Sequence, residues 1–250
     1  MTYYPFTLLL SASVPSDKRD ERFTKIKNAQ IQIEEAVIGL SRNIFQAGGK
    51  IIFGGHPSIS PLVAMVATEY SVNKEIENVN RNERGEKRIT IFQSKAYEAV
   101  IPKETTSLFD LGYSNIIWTD ARNGEEFNPK IQKTAQCHKS LEFMRREMMK
   151  GKIDALICIG GMEGVELEFA LFRELHPSKP IFILKSTGGA SKILADEYSN
   201  SNVVRILDGK DYSNIKTEKK EDKYSEKFDI IPYSFITALI VKEILDSKNN

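Results

Sequence analysis

The apolar residues of this chain fall into two alternating kinds of segment, and that alternation restricts the fold more than any other feature. Short continuous runs, Phe6 to Leu10, Ile51 to Phe53, Ile89 to Phe92, Ile116 to Trp118, Ala155 to Ile159, Ile181 to Leu184 and Val203 to Leu207, lack the polar alternation of a half-exposed strand. Such runs are expected of strands covered on both faces, as in parallel sheets. Between them lie stripes at helical spacing: Ile33, Val37, Leu40 and Ile44; Leu141, Met144 and Met148; Leu167, Leu171 and Leu175; Ile236, Ile240 and Ile244. Each stripe predicts an amphipathic helix whose apolar residues enter the core. Gly48-Gly49 closes the first, where a left-handed residue costs least. The pattern predicts an α/β fold, a doubly wound, mostly parallel Rossmann-like sheet of about seven strands with helices on both faces.

A length of 250 residues with 41% hydrophobic content suits one large core, so residues 1–250 are expected to form a single domain. Lys and Arg number 35 against 34 Asp and Glu, which argues against a broad basic face for nucleic acid. No run approaches the roughly 20 apolar residues of a membrane span. The first ten residues lack the basic start and small-residue cleavage site of a secretory signal. Two cysteines, Cys137 and Cys158, fit a reducing compartment, and no Cys/His spacing matches a zinc site. A cytoplasmic protein with neither metal nor cofactor is expected. Two charged stretches, Asn73 to Arg88 and Asp208 to Lys227, read as surface loops or frayed helix ends, or else as a lid or partner-binding segment.

In open α/β sheets ligands bind beyond the carboxyl ends of the strands, so function is sought in the turns that follow each run. The most informative turn is Ile159-Gly160-Gly161-Met162-Glu163-Gly164-Val165-Glu166-Leu167-Glu168, between the run DALICIG and a helix start. Gly160 and Gly161 would let backbone approach a phosphate without a Cβ in the way, and Gly164 would permit close packing. The backbone donors at the helix start, Met162 and Glu163 included, would face the anion. Glu166 and Glu168 would repel it, so a carboxylate here suits ribose hydroxyls or a general base. A packing turn with acidic residues favouring the helix N-terminus is the plain alternative.

Three further turns have related designs. Gly54-Gly55-His56-Pro57-Ser58-Ile59-Ser60-Pro61 offers glycines, His56 and the Ser58 hydroxyl to a second anion, with Ser60 and Pro61 also readable as an ordinary cap and first helical residue. Ser11 and Ser13 leave the first run, followed by Arg19 and Arg22, either of which could clamp a phosphate or belong to an exposed charged helix start. Thr187, Gly188 and Gly189 follow the run PIFIL and would wall the neighbouring side of the cleft. Gln93-Ser94 and Thr119-Asp120 are weaker candidates, suited to a base or sugar or to capping helices. Neither a Walker A pattern nor a Gly-x-Gly-x-x-Gly fingerprint with its distant acid is present, and no Gly-x-Ser-x-Gly elbow occurs.

At LLLSASVP, KIIFGGHPSISPLV, DALICIGGMEGVELEFALF and KPIFILKSTGGAS the chain resembles the SLOG superfamily, which includes the DprA/SMF proteins, the LOG hydrolases and nucleotide-sensing domains of bacterial defence systems. The resemblance is one of layout over most of the chain. It is closest to SLOG domains found beside TIR or sirtuin-type modules, and it implies binding of a nucleotide or NAD-derived signal such as an ADP-ribose derivative. A TIR or other NAD-consuming effector partner and homo-oligomerisation are implied with it. The LOG enzymes, which release the base from nucleoside monophosphates, carry a Pro-Gly-Gly-x-Gly-Thr-x-x-Glu signature. Gly164 and Glu168 keep its final spacing, which would make Glu168 catalytic. Ile159 and Val165 replace its proline and threonine, and one extra residue separates Gly161 from Gly164. These departures favour binding over hydrolysis and leave both readings open.

Overall fold

The computed structural model describes residues 6–15, 21–23, 29–76, 88–101, 103, 105–106, 114–130, 137–212 and 231–249. All seven apolar runs form strands: β1 (Thr7–Ser13), β2 (Lys50–Gly54), β3 (Ile89–Ser94), β4 (Ser114–Thr119), β5 (Ala155–Gly160), β6 (Ile181–Leu184) and β7 (Val204–Leu207). They pair in the order β4-β3-β2-β1-β5-β6-β7, and every pair is parallel. The chain therefore builds outward from β1 in one direction through β4, then crosses back to lay β5 on the other side of β1. This is the doubly wound architecture, and its reversal of direction lies between β1 and β5.

The helices α1 (Ala29–Gln46), α2 (Ser60–Ile76), α3 (His138–Met149), α4 (Glu163–Leu175), α5 (Gly189–Glu197) and α6 (Tyr233–Asn249) divide between the two faces. Side chains of α1, α2 and α6 pack with Leu8, Leu10, Ile51, Phe53, Ile157 and Ile159 on one face. Those of α3, α4 and α5 pack with Leu9, Phe92, Leu156, Cys158 and Ile183 on the other. Successive strand residues point to opposite faces, so a strand buried on both must be apolar throughout, as β5 and β6 are. The α1 stripe of Ile33, Val37, Leu40 and Ile44 is fully buried. Gly48 ends that helix at φ 79°, and the Gly49 amide reaches back to the Ile44 carbonyl at 2.8 Å.

One predicted stripe is displaced. Leu167 and Leu175 are 47% and 39% exposed, and α4 instead buries Val165, Phe169 and Phe172 together with Leu171. The leucine series repeats every four residues and drifts around a helix of 3.6 residues per turn, whereas the aromatic series tracks the sheet. Of the charged stretches, residues 73–76 continue α2 and 209–212 form a short 3-10 turn; residues 77–87 and 213–227 lie outside the described residues. Among the described residues no helix is long and apolar enough to cross a membrane.

Asp154 closes the amino-end side of the sheet. Its carboxylate, 8% exposed, accepts from the Thr7 amide at 2.8 Å and from Lys248 Nζ at 2.8 Å, joining the starts of β1 and β5 to the end of α6. Asp154→Ala leaves a buried backbone donor without its acceptor, and we expect it to lower unfolding free energy by about 1–3 kcal/mol in urea titration. An unchanged midpoint would show the anchor to be dispensable.

Candidate functional site

At the carboxyl ends of β1 and β5, Ser13 pairs with Gly160. Gly160, Gly161, Gly188 and Gly189 all have positive φ, at 59°, 85°, 73° and 57°. The two glycine turns interlock. The Gly160 amide donates to Thr187 Oγ1 at 2.7 Å, Gly161 N–H to the Ser13 carbonyl at 2.8 Å, Ala190 N–H to the Gly161 carbonyl at 2.9 Å, and Ser191 Oγ to the Gly160 carbonyl at 3.1 Å. Thr187 itself donates to the Leu184 carbonyl at 2.6 Å.

Gly160 and Gly161, expected to let backbone approach a phosphate, and Thr187, Gly188 and Gly189, expected to wall the cleft, are brought together here and bonded largely to one another. The Gly160 and Gly161 amides are engaged inside the protein. A Cβ on Gly161 would lie 2.2 Å from a Val165 methyl, and one on Gly189 would lie 2.3 Å from the Gly161 oxygen. These glycines exist so that α4 and α5 can start against one another. Gly189→Ala, strained in both conformation and space, should cost about 1–3 kcal/mol in thermal unfolding, and a wild-type melting curve would refute the interlock.

The donors left over lie one step further along. Met162, the residue before α4, has extended backbone and supplies no side-chain cap. Val165 and Glu166 amides bond the Met162 carbonyl, while the Glu163 and Gly164 amides make no hydrogen bond among the described residues. The usual cap would be Ser, Thr, Asp or Asn, so two donors at the positive end of a helix dipole remain for another partner.

Arg145 of α3 comes to this point and was not anticipated from the sequence. Its Nε donates to Glu168 Oε1 at 3.3 Å, with both side chains 13% exposed. Its Nη2 lies 3.3 Å from where a Cβ of Gly164 would stand, so Gly164 makes room for the guanidinium. The Nη edge donates to no group among the described residues. Glu168 Oε2 accepts from Ser11 Oγ at 2.5 Å, which ties β1 to α3 and α4. The signal for Arg145 was an arginine four residues after Leu141 and three before Met148, on a flank of the stripe where the period asks for an apolar residue.

Ser13 is 8% exposed, and its hydroxyl makes no hydrogen bond among the described residues. It follows Ser11 on the α4-facing side of β1, one step nearer the helix start. Arg22 stands at the rim, 3.8 Å from Glu166 and stacked over Phe23 at 4.6 Å; Glu163 is exposed beside it. Arg19 lies outside the described residues.

At the second turn, expected to receive a second anion, the polar groups bond within the protein. The Ile59 and Ser60 amides bond the His56 carbonyl, and those of Leu62 and Val63 bond Ile59. Ser58 Oγ is 2.8 Å from His56 Nδ1 and accepts from the Val14 amide at 3.3 Å, so His56 and Ser58 fasten the β2 turn to the β1 turn. Gly54 and Gly55 border this contact, with Gly55 N–H on the Phe92 carbonyl at 3.1 Å. Among the described residues no group of three or more His, Cys, Asp or Glu side chains could hold a metal ion.

Neither cysteine is a nucleophile in this setting. Burial pushes the Cys158 thiol up, and the Glu168 charge adds to it; burial also raises Cys137. Both should resist iodoacetamide at mildly alkaline pH until the protein is denatured, and rapid labelling of the native chain would contradict their burial.

Fold and site together define a doubly wound α/β protein with donors gathered at the strand-order reversal. The chain belongs to the SLOG cluster3 family, whose model matches residues 22–219, and this membership supports a nucleotide-related function. Two solved structures are similar to it: TM1055, a structural-genomics target, at 14% identity and TM-score 0.45 over 80% of this chain and 90% of that one; and DNA processing protein A (DprA) from Streptococcus pneumoniae, at 13% identity and TM-score 0.43 over 82% of this chain and 58% of that one. No curated protein matches the chain in sequence.

Proposed function

We propose that the chain binds a nucleotide-derived ligand through its phosphate, seated between β1 and β5, and serves as a sensor or regulatory module. The observation that carries this reading is the convergence of donors without a partner among the described residues. The Glu163 and Gly164 amides, the Nη edge of Arg145 and the Ser13 hydroxyl meet at the strand-order reversal, where doubly wound sheets hold ligands. Arg145 suits the task because its planar fork can keep Nε on Glu168 while two further N–H groups take an anion. Glu163 and Glu166, repelled by phosphate, lie where ribose hydroxyls would be accepted.

The family resemblance makes an NAD-derived signal such as an ADP-ribose derivative the ligand class to test first, with a TIR-type or other NAD-consuming effector as partner in bacterial defence. Hydrolysis of a nucleoside monophosphate is the competing reading, favoured by the carboxylate of Glu168 beside the seat. Against it, Ser11 and Arg145 hold both oxygens of Glu168, which makes this group an anchor for the arginine.

Calorimetric titration with ADP-ribose and AMP, followed by chromatography of the mixtures, separates the two. Intact ligand after binding is expected, with Arg145→Gln weakening affinity by at least about tenfold through loss of charge-assisted donors. Arg146→Gln, whose guanidinium bonds only exposed Glu142 and Glu174, should bind normally. Base release abolished by Glu168→Gln would establish the hydrolase instead, and no binding of either ligand would remove the proposed function.

A further inference from the structure

The two edges of the sheet are built differently. At one edge, β7 is four residues long and carries Arg205, whose guanidinium donates to Glu243 of α6 at 3.1 Å and to the Asn202 carbonyl at 2.6 Å. A short strand that holds a charge is guarded against pairing with another chain. At the other edge, β4 has six residues, Ser-Asn-Ile-Ile-Trp-Thr, with no charge and neither proline nor glycine. It pairs with β3 along one side, and among the described residues no strand pairs with its other side. Ile117 is 42% exposed here and Trp118 is half-buried, so this edge combines residues of high strand propensity with open apolar surface.

The strand is complementary to itself. A copy laid antiparallel beside it is related to it by a two-fold axis normal to the sheet, which leaves every side chain on its own face. Ile116, in register with Ile91, packs on the core beneath α1 and α2, and Ile117, in register with Phe92, stands on the opposite face. Directly opposed residues share a face, so their numbers must differ by an even number. Centred on Ile116, the pairing would set Ile117 against Asn115 and Trp118 against Ser114. Centred on Ile117, it sets Ile117 against Ile117, Ile116 against Trp118 and Asn115 against Thr119, so that apolar meets apolar and polar meets polar. Cross-strand pairs of an aromatic with a β-branched residue are among the favourable ones.

We propose that β4 is a docking edge for a second copy of this chain, paired antiparallel about a two-fold axis at Ile117 so that one sheet runs through both chains. Sedimentation of the full chain tests it: the mass should approach twice that of one chain as concentration rises. The emission of Trp118, the single tryptophan, should move to shorter wavelength over the same range. Ile117→Lys puts two like charges face to face and should abolish both changes. A cysteine pair tests the register without relying on that variant. Opposed Cα atoms lie about 4.5–5.5 Å apart, within disulfide reach. Ile117→Cys should therefore form a cross-linked dimer on mild oxidation. Asn115→Cys, roughly 14 Å from its own copy along the strands, should not. Cys137 and Cys158 are buried and add no background. A single-chain mass at every concentration, a dimer that survives Ile117→Lys, or equal cross-linking of the two cysteine variants would overturn the proposal.

Discussion

The left-handed backbone at Gly160-Gly161 and Gly188-Gly189 is the constraint on which the strand-end arrangement depends. An L side chain at Gly189 would occupy the ground of the Gly161 carbonyl, and one at Gly161 that of Val165. Without side chains, the β5 and β6 turns close on each other and satisfy each other's polar groups. Two helices then begin side by side from a rigid double turn. The Gly160 and Gly161 amides are engaged within it, so the α4 donors without a partner among the described residues are those of Glu163 and Gly164.

Arg145 gives this start its charge. A guanidinium beside the positive end of a helix dipole is unfavourable unless negative groups stand near it, and a largely buried cation needs a partner. Glu168 supplies one from the second turn of the same helix, and Ser11 fixes the far oxygen of that carboxylate from β1. The network couples α3, α4 and the central strand and so holds the Nη edge in place. Pre-positioning of this kind would reduce the ordering cost of the proposed anion binding.

The strands were legible because each is a short, largely apolar run, a pattern with little competition once glycine or polar turns bound it. The α1 and α6 stripes, buried at Ile33, Val37, Leu40 and Ile44 and at Ile236, Ile240 and Ile244, were legible for the same reason. The α4 face was not, since leucines at four-residue spacing and aromatics at three and four compete for the same helix, and only the packed sheet decides between them. Within the site, the position of the glycine turn could be read and its bonding could not. Whether an amide faces outward depends on Thr187 and Ser13, one of them distant in sequence. Arg145 was hidden by its neighbour: two adjacent arginines on a charged helix read as surface, and only tertiary contact sends Arg146 to solvent and Arg145 inward.

Polar side chains behind the double turn also satisfy one another. On the β6 and β7 side, Ser186 Oγ meets Tyr233 at 3.1 Å and the Gly209 amide at 3.2 Å, while the Tyr233 hydroxyl donates to Gln32 at 2.5 Å. Burial pushes the Tyr233 phenol up to about 12, so it keeps its proton and remains a donor within this closed set. Thr187 and Ser191 are likewise satisfied. On the β2 and β3 side the Ser58 hydroxyl is likewise engaged, by His56 and by the Val14 amide, so the turns on both sides of the central strand are fixed by side-chain bonds that cross between strands.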